Sequence, residues 1–282
     1  MVTDNKKIES IKKNLFKRSI NAISDYQRFE WHKAADEANS SQALAIDFWG
    51  CLKLSPQKDK IINTLFNKKN NNWKIKFEYA DKSLLSEKRP TQIDVIIESD
   101  TYAIIIESKF TEANGGNCSQ TKKTKNFSFQ CNGNYEEQIN PVNGVSSKCA
   151  LTGKKILYWD YIDSLTELNK HTEQTPCPFQ KGEFQWIRNI CFAEAYAKRQ
   201  KINTESYLVY YKSDKCSISK KVKNQTYLGN LKGKLNNPKS FQPISYNELL
   251  SKIIKSFEAK DSNEKQIWIE LQNWMKNKEN KT

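Results

Sequence analysis

Two short apolar runs lie close together near the middle of the chain. The runs IDVIIE (93–98) and YAIIIESKF (102–110) are rich in isoleucine and valine, and the residues between them, Ser-Asp-Thr, are turn-like. β-Branched residues favour strands, and each run is too short for a buried helix. We therefore predict a β-hairpin, and its nearly wholly apolar strands are typical of a sheet covered on both faces.

Hydrophobic periodicity elsewhere predicts helices and strands around this hairpin. Apolar positions recur at helical spacing in some segments and alternate with polar positions in others. The predicted elements are a helix over 6–36, a helix capped by Ser40 and Ser41 and ending near Gly50, a strand over 73–80 with Trp73, Ile75, Phe77 and Tyr79 on one face, a helix over 182–199 with Ile187, Ile190, Cys191 and Ala195 facing inward, and a strand over 206–212.

The C-terminal part changes character. Residues 213–245 are basic and contain Gly and Pro, so they are either a ribbon or loop that grips a phosphate backbone or a solvated connector. Residues 246–276 carry two apolar stripes, which predict one or two amphipathic helices. We expect these helices to pack on the core, and a homodimer interface is the less favoured use.

The hairpin brings particular polar residues together. In an antiparallel pair, opposed residues point to the same face. A two-residue turn at Asp100 and Thr101 puts Asp94 opposite Glu107, and a turn at Ser99 and Asp100 puts it opposite Ile105; in both registers Lys109 shares that face. A three-residue turn would send the two acids to opposite faces.

Two carboxylates and one ammonium at this spacing predict a metal site. Directly opposed Cβ atoms lie roughly 5 Å apart, and two acids that close repel each other unless a cation sits between them. Carboxylate oxygens suit Mg²⁺ or Mn²⁺, with phosphate oxygens as further ligands. Asp94 and Glu107 would hold the ion, and Lys109 would orient a water and stabilise developing negative charge. Glu78 could point at the same ion if its strand pairs with the Asp94 strand, or it could be solvated.

Asp94 followed by Glu107-x-Lys109 on the next strand resembles the PD-(D/E)xK nuclease superfamily. More narrowly, RPTQIDVIIESD and IIIESKFTEA resemble a bacterial branch of it that is similar to restriction endonucleases. Pro90 stands before Asp94 without adjoining it, but this proline is not a ligand. The resemblance covers roughly residues 40–212 and continues through SSQALAIDFWG (40–50), LTGKKILYWD (151–160) and CPFQKGEFQWIRNICFA (177–193).

This resemblance implies an α/β fold with a central mixed sheet flanked by helices, in the order αβββαβ. The length allows one large domain or two small ones. We interpret the chain as one domain over 1–282, with a core of about 40–212, an insertion of about 111–183 and a C-terminal basic segment and helices over 213–282. Gln185 matches a glutamine that several members carry on the helix after the insertion, whereas Asn189 replaces their usual tyrosine. A first helix often supplies a further acid, for which Glu30, Glu37 and Asp47 are candidates, and the resemblance also singles out Gln42.

The insertion holds four of the seven cysteines, Cys118, Cys131, Cys149 and Cys177. Long segments without a packed core need another source of stability, which Zn²⁺ or an iron–sulfur cluster bound by four thiolates could supply. No CxxC pair is present, His171 could replace one cysteine, and reduced thiols without metal are the alternative.

Net charge and hydropathy indicate the partner and the compartment. The formal charge of +14 favours a polyanion, and the absence of a long apolar run predicts a cytoplasmic protein without a membrane partner. Together with the predicted metal site, this charge leads us to expect a Mg²⁺-dependent endonuclease that hydrolyses DNA, and the resemblance implies a role in restriction or anti-phage defence. The alternatives are a repair or RNA nuclease with the same site, and a basic nucleic-acid-binding protein that does not cut.

Overall fold

The structure of the protein is a computed structural model that describes residues 3–122, 130–139, 144, 146–180, 182–258 and 261–282. Its strands are β1 Lys74–Ala80, β2 Gln92–Glu98, β3 Tyr102–Lys109, β4 Gln138–Ile139, β5 Ser146–Ser147, β6 Asn203–Tyr210 and β7 Gln242–Ser245. Its α-helices are α1 Asn5–Lys13, α2 Ser41–Lys53, α3 Lys58–Phe66, α4 Ala150–Gly153, α5 Tyr158–Leu165, α6 Phe184–Gln200, α7 Ser217–Lys223, α8 Gln225–Lys232, α9 Tyr246–Ser256 and α10 Ser262–Asn280.

A five-stranded mixed sheet organises the fold. Its strand order is β1-β2-β3-β6-β7, in which β1, β2 and β3 are antiparallel neighbours. Strand β6 runs parallel to β3, and β7 runs parallel to β6. The predicted α/β class and the order helix, three strands, helix, strand are confirmed. Strand β7 was not predicted, since it is short and contains Pro243.

The hairpin adopts the first of the two predicted registers. Val95 pairs with Ile106, and Glu98 pairs with Ala103. The Ser99 amide donates to the Tyr102 carbonyl at 2.8 Å, which leaves Asp100 and Thr101 as the two turn residues. One step beyond the last recorded pair, the same register sets Asp94 opposite Glu107.

Helices cover both faces of the sheet, as its apolar strands require. On one face, Phe48 of α2 packs against Tyr246 of α9 and Trp268 of α10, with ring centroids 5.1 and 5.6 Å apart. On the other face, Ile187 and Phe192 of α6 belong to a second cluster of buried hydrophobic residues. The apolar stripes of α9 and α10 are thus buried within the chain, and the predicted packing of these helices on the core is confirmed.

Strand β1 changes face at Glu78. Ile75 and Phe77 face the α2 side, whereas the Tyr79 ring lies 6.1 Å from that of Phe192 on the α6 side. The prediction that Tyr79 shares their face is wrong, because Glu78 has a left-handed backbone with φ +47° that breaks the two-residue alternation. Pairing resumes in the same register beyond this point, with Tyr79 opposite Ile93.

The predicted N-terminal helix over 6–36 is wrong beyond its first turns. Helix α1 ends at Lys13, and Asn14 is its C-cap residue. Asn14 donates to the carbonyls of Ala35 and Glu37, and the Phe16 amide donates to Asp47. Asp47 thus satisfies the Phe16 amide, which a continued helix would have paired internally, and the Asn14 side chain ties the helix end to residues 35–37.

The insertion and the basic segment contain their own short elements. Strands β4 and β5 form a separate two-stranded sheet, and α5 packs against α6. Residues 123–129, 140–143, 145 and 181 of the predicted insertion lie outside the described residues. The basic segment forms α7, α8 and β7, not a ribbon or a loop. None of the helices in the described ranges combines the length and apolarity needed to cross a membrane.

Candidate active site

A cleft of about 1080 Å³ opens where β3 ends. Helix α2 contributes its N-terminal turn, α6 contributes its first two turns, and the start of the insertion forms part of the rim. The residues that line it and bear on the chemistry are Glu30, His32, Lys33, Glu37, Gln42, Glu78, Asp94, Glu107, Lys109, Glu112, Asn114, Asn117, Gln185 and Arg188. All five residues predicted for the catalytic centre, Glu78, Asp94, Glu107, Lys109 and Gln185, lie at this cleft.

Asp94, Glu107 and Lys109 converge at its floor. Glu107 and Lys109 are each only 5 % exposed, and Lys109 Nζ lies 2.7 Å from Glu107 Oε1. The Ser108 amide donates to Asp94 Oδ2 at 2.7 Å, while the Ser108 hydroxyl contacts the Tyr246 hydroxyl at 2.7 Å on the opposite face. Ser108 therefore fixes β3 so that the residues on either side of it face the cleft.

Burial gives these groups unusual proton affinities. Desolvation, with repulsion from Glu107 and Glu78, raises the pKa of Asp94 well above its ordinary value. Desolvation also acts to raise the pKa of Glu107, but Lys109, Arg188 and Asn189 outweigh it and lower that pKa. Burial opposes the charge of Lys109, yet Glu107, Glu112 and Asp94 raise its pKa. Glu107 and Lys109 are thus a charged pair, and Asp94 is a carboxylate short of positive charge.

Glu78 belongs to the same cluster, as the strand pairing suggested. Burial, with the charges of Glu107 and Glu30, raises the pKa of Glu78 to about 7 despite a hydrogen bond from Gln42. Gln42 Nε2 donates to Glu78 Oε1 at 2.8 Å and to the Glu30 carbonyl at 2.9 Å, and its Oε1 accepts from the His32 amide. Gln42 therefore ties the loop before α2 to the acidic floor of the cleft.

Helix α6 supplies residues that the sequence reading did not assign to the site. Asn189 Nδ2 donates to Glu107 Oε2 at 2.6 Å, so it occupies the place expected of a tyrosine with a contact of its own. Arg188 lines the cleft, and its buried Nε has no hydrogen-bond partner within the described residues. Arg188 and Asn189 follow Gln185 by three and four residues, so all three side chains lie on one side of the helix. This spacing could have added both residues to the predicted site.

Of the three acids proposed for the first helix, two line the cleft and one does not. Glu30 and Glu37 line the cleft from the loop before α2. Asp47 does not: it is fully buried, accepts from Trp274 Nε1 and the Phe16 amide, and lies 2.8 Å from Lys278 Nζ. Asp47 was a candidate for the further acid that a first helix often supplies, but it instead joins α10 to the N-terminal segment.

The donor set at the cleft floor fits a hard divalent cation. Within the described ranges, no three His, Cys, Asp or Glu side chains already stand so that they could hold a metal ion. Mg²⁺ does not require three, because it commonly uses one or two carboxylates and completes its shell with water and phosphate oxygens. A cation between Asp94 and Glu107 would relieve the repulsion that raises the Asp94 pKa.

The four insertion cysteines lie apart from this cleft. They line the same second, smaller cavity: Cys118, Cys131, Cys149 and Cys177. His171 is exposed and is absent from the lining of that cavity, so the suggestion that it replaces a cysteine ligand has no support.

Comparison with known proteins gives one family. No curated protein and no solved structure matches the chain significantly. A family model described as restriction endonuclease associating with ARP matches residues 2–273, nearly the whole chain. This extent includes the sheet, the cleft, the insertion and most of α10. The chain therefore belongs to this family of restriction endonucleases.

Proposed function

We propose that the protein is a metal-dependent endodeoxyribonuclease of the PD-(D/E)xK type that acts in restriction or anti-phage defence. The observation that carries the proposal is the convergence of Asp94, Glu107 and Lys109 at the floor of one open cleft. Membership of a restriction endonuclease family supports a nuclease. The net charge of +14 supports a polyanionic substrate.

Each side chain has a role that follows from its position. Asp94 and Glu107 would hold Mg²⁺, which when bound polarises the scissile phosphate and lowers the pKa of a coordinated water. Lys109, held beside Glu107, donates to the attacking water and stabilises the negative charge that develops on the phosphate. Arg188 offers a fixed donor to a phosphate oxygen, and Gln185 and Glu78 are auxiliary groups at the rim and the floor.

The test is cleavage of supercoiled plasmid by purified protein with Mg²⁺. The wild type should nick or linearise the plasmid, and Lys109→Ala should lose cleavage by roughly a hundredfold or more while still binding DNA. Lys255→Ala is the matched control, because Lys255 is an exposed lysine outside the cleft lining. Cleavage should also cease with EDTA.

Two outcomes would overturn the proposal. Equal binding by wild type and Lys109→Ala with no cleavage by either would favour a nucleic-acid-binding protein without catalysis. Cleavage of RNA but not of DNA, run in parallel on matched sequences, would assign the same residues to a ribonuclease. Equal cleavage by wild type and Lys109→Ala would remove Lys109 from the mechanism.

A further inference from the structure

The second cavity gathers cysteines from four separate stretches of the insertion. It has a volume of about 20 Å³, and Cys118, Cys131, Cys149 and Cys177 all line it. The other lining residues are uncharged. All four cysteines are free thiols, and three of them are buried. Burial of the thiols alone would not explain why four cysteines that are distant in sequence line the same cavity.

Backbone hydrogen bonds hold these loops together around the cavity. The Cys118 amide donates to the Phe179 carbonyl, and the Cys177 amide donates to the Gly133 carbonyl. Tyr135 and Gln174 exchange a pair of amide–carbonyl bonds beside them. The main chain therefore holds Cys118 and Cys177 against neighbouring loops of the insertion, and side-chain rotation remains available to adjust the sulfur atoms.

One of the sulfurs accepts a hydrogen bond from the main chain. The Gly133 amide, two residues after Cys131, donates to Cys131 Sγ at 3.4 Å. A neutral thiol is a weak acceptor, whereas a thiolate gains most from amide donors. This contact therefore favours a thiolate at Cys131.

Thiolates in this cavity would need a counter-charge. The described residues that line it include no charged side chain, and an uncompensated buried charge is costly. A bound divalent metal supplies the positive charge as it displaces the thiol protons.

We propose that Cys118, Cys131, Cys149 and Cys177 bind one structural zinc ion. A cavity of about 20 Å³ has room for a single ion between the four cysteines. In the described residues the side chains do not yet form a group that could hold a metal, so binding turns the sulfurs inward to roughly 2.3 Å from the ion. The four thiols release their protons to solvent as the four Zn–S bonds form.

The zinc site would stabilise one wall of the cleft. Asn114 and Asn117 on the cleft rim belong to the insertion, and Asn117 Oδ1 accepts from the Gly182 amide at 2.7 Å. Cys118 adjoins Asn117 in sequence. Loss of the ion should therefore loosen the rim without removing any residue from the acidic floor.

Elemental analysis of tag-free protein tests the proposal. We expect about one zinc ion per chain in the wild type and in Asp94→Ala, which alters only the proposed magnesium site. Cys131→Ser and Cys177→Ser should each lose most of the zinc. Cys216→Ser is the matched control, because Cys216 is a buried cysteine outside the cavity, and it should keep the zinc.

Cobalt reconstitution of the wild type keeps the test valid if the cysteine variants misfold. Metal-free wild-type protein should take up about one Co²⁺ with the intense visible and near-ultraviolet bands of tetrahedral thiolate coordination, and zinc should displace it. Absence of such bands, together with zinc-free wild type, would overturn the proposal. Iron with a visible cluster spectrum would also overturn it, in favour of an iron–sulfur centre.

Discussion

Asn189 links helix α6 to strand β3 by a side-chain hydrogen bond. Its side-chain amide donates to Glu107 Oε2, and Lys109 holds the other carboxylate oxygen. Glu107 is thus oriented by one neutral donor and one cation. A residue that only orients a ligand should affect metal affinity more than it affects folding.

Asn189→Asp should lower the cleavage rate by roughly 10–100-fold, the usual range for loss of such support. The new carboxylate would repel Glu107 and also remove its donor. Asn189→Ala should be affected less, since it removes the donor alone. The Mg²⁺ concentration for half-maximal cleavage should rise in both variants, and an unchanged value would assign Asn189 to packing alone.

Glu78 combines a strained backbone with a carboxyl that is costly to ionise. A non-glycine residue at φ +47° is strained, and burial works against the charge. Such strain commonly accompanies a functional requirement at the same position.

Glu78→Gly should be more stable than Glu78→Gln by about 1 kcal/mol, because glycine adopts this backbone freely and glutamine does not. Both variants lose the carboxylate, so both should cleave DNA more slowly than the wild type. Urea unfolding without metal gives the stability comparison. Equal stability of the two variants would contradict a strain stored at this residue.

At the scale of elements, buried Asp47 joins α2 to α10 and to the N-terminal segment. It accepts from the Phe16 amide, the Ser19 hydroxyl and Trp274 Nε1, and it pairs with Lys278, which is 3 % exposed. These partners lie at opposite ends of the chain. One carboxylate therefore holds both termini to the core.

Asp47→Ala should reduce the free energy of unfolding by about 3–5 kcal/mol, because it leaves a buried ammonium and several donors unpaired. Asp214→Ala removes an exposed pair with Lys223 and should change stability little. Urea unfolding at neutral pH measures both. A small effect of Asp47→Ala would mean that water replaces the lost partner.

Glu98 connects β1, β2 and α6 through Lys76 Nζ at 2.6 Å and the Tyr196 hydroxyl at 2.7 Å. Desolvation acts to raise its pKa, but these two partners outweigh desolvation and lower that pKa below 4.5. A lowered folded-state pKa adds stability above the unfolded value and loses it as the pH falls through the folded value. As the pH falls from neutral to acid, Glu98→Gln should therefore lose less stability than the wild type. The difference should be less than about 1 kcal/mol, and melting curves across this pH range measure it.

The elements that sequence predicted well carry a local signal of their own. The hairpin follows from its β-branched runs, α2 from its Ser40 cap, and α6 from its inward stripe and its basic last turn. The prediction of a helix over 6–36 was wrong because Asn14 and Asp47 form hydrogen bonds with residues distant in sequence. Hydrophobic periodicity carries no information about such contacts. Likewise the face change at Glu78 depends on one backbone conformation, and the convergence of four cysteines depends on loop paths that have no signal in their spacing.

Across the whole molecule, a basic protein encloses a cleft with an acidic floor. Lys221 of the C-terminal basic segment lies close to Gly182, near the cleft rim, where its ammonium also contacts the rings of Trp186 and Tyr227. A phosphate backbone at the rim would thus meet Lys221, although Glu30 and Glu37 add negative charge to the cleft lining.

Affinity for duplex DNA should fall by at least about tenfold as salt rises from about 50 to about 200 mM, through counterion release. Fluorescence anisotropy with Lys109→Ala measures binding without cleavage. Lys221→Ala should lower the affinity and flatten this salt dependence, whereas Lys255→Ala should leave both nearly unchanged. Salt-independent binding would contradict a phosphate-dominated interface.

The insertion leaves the core and returns to it at almost the same point. The Gly115 amide donates to the Gly182 carbonyl, and the Gln185 amide donates to the Gly115 carbonyl. A side chain at Gly115 would collide with Trp186 at 2.8 Å, so this crossing is closed tightly. Because entry and exit are clasped together, the loop between them can lengthen, shorten or change its surface while Lys109 and Gln185 keep their spacing. Changes to this excursion should therefore alter what the cleft rim contacts while Asp94, Glu107 and Lys109 keep their positions.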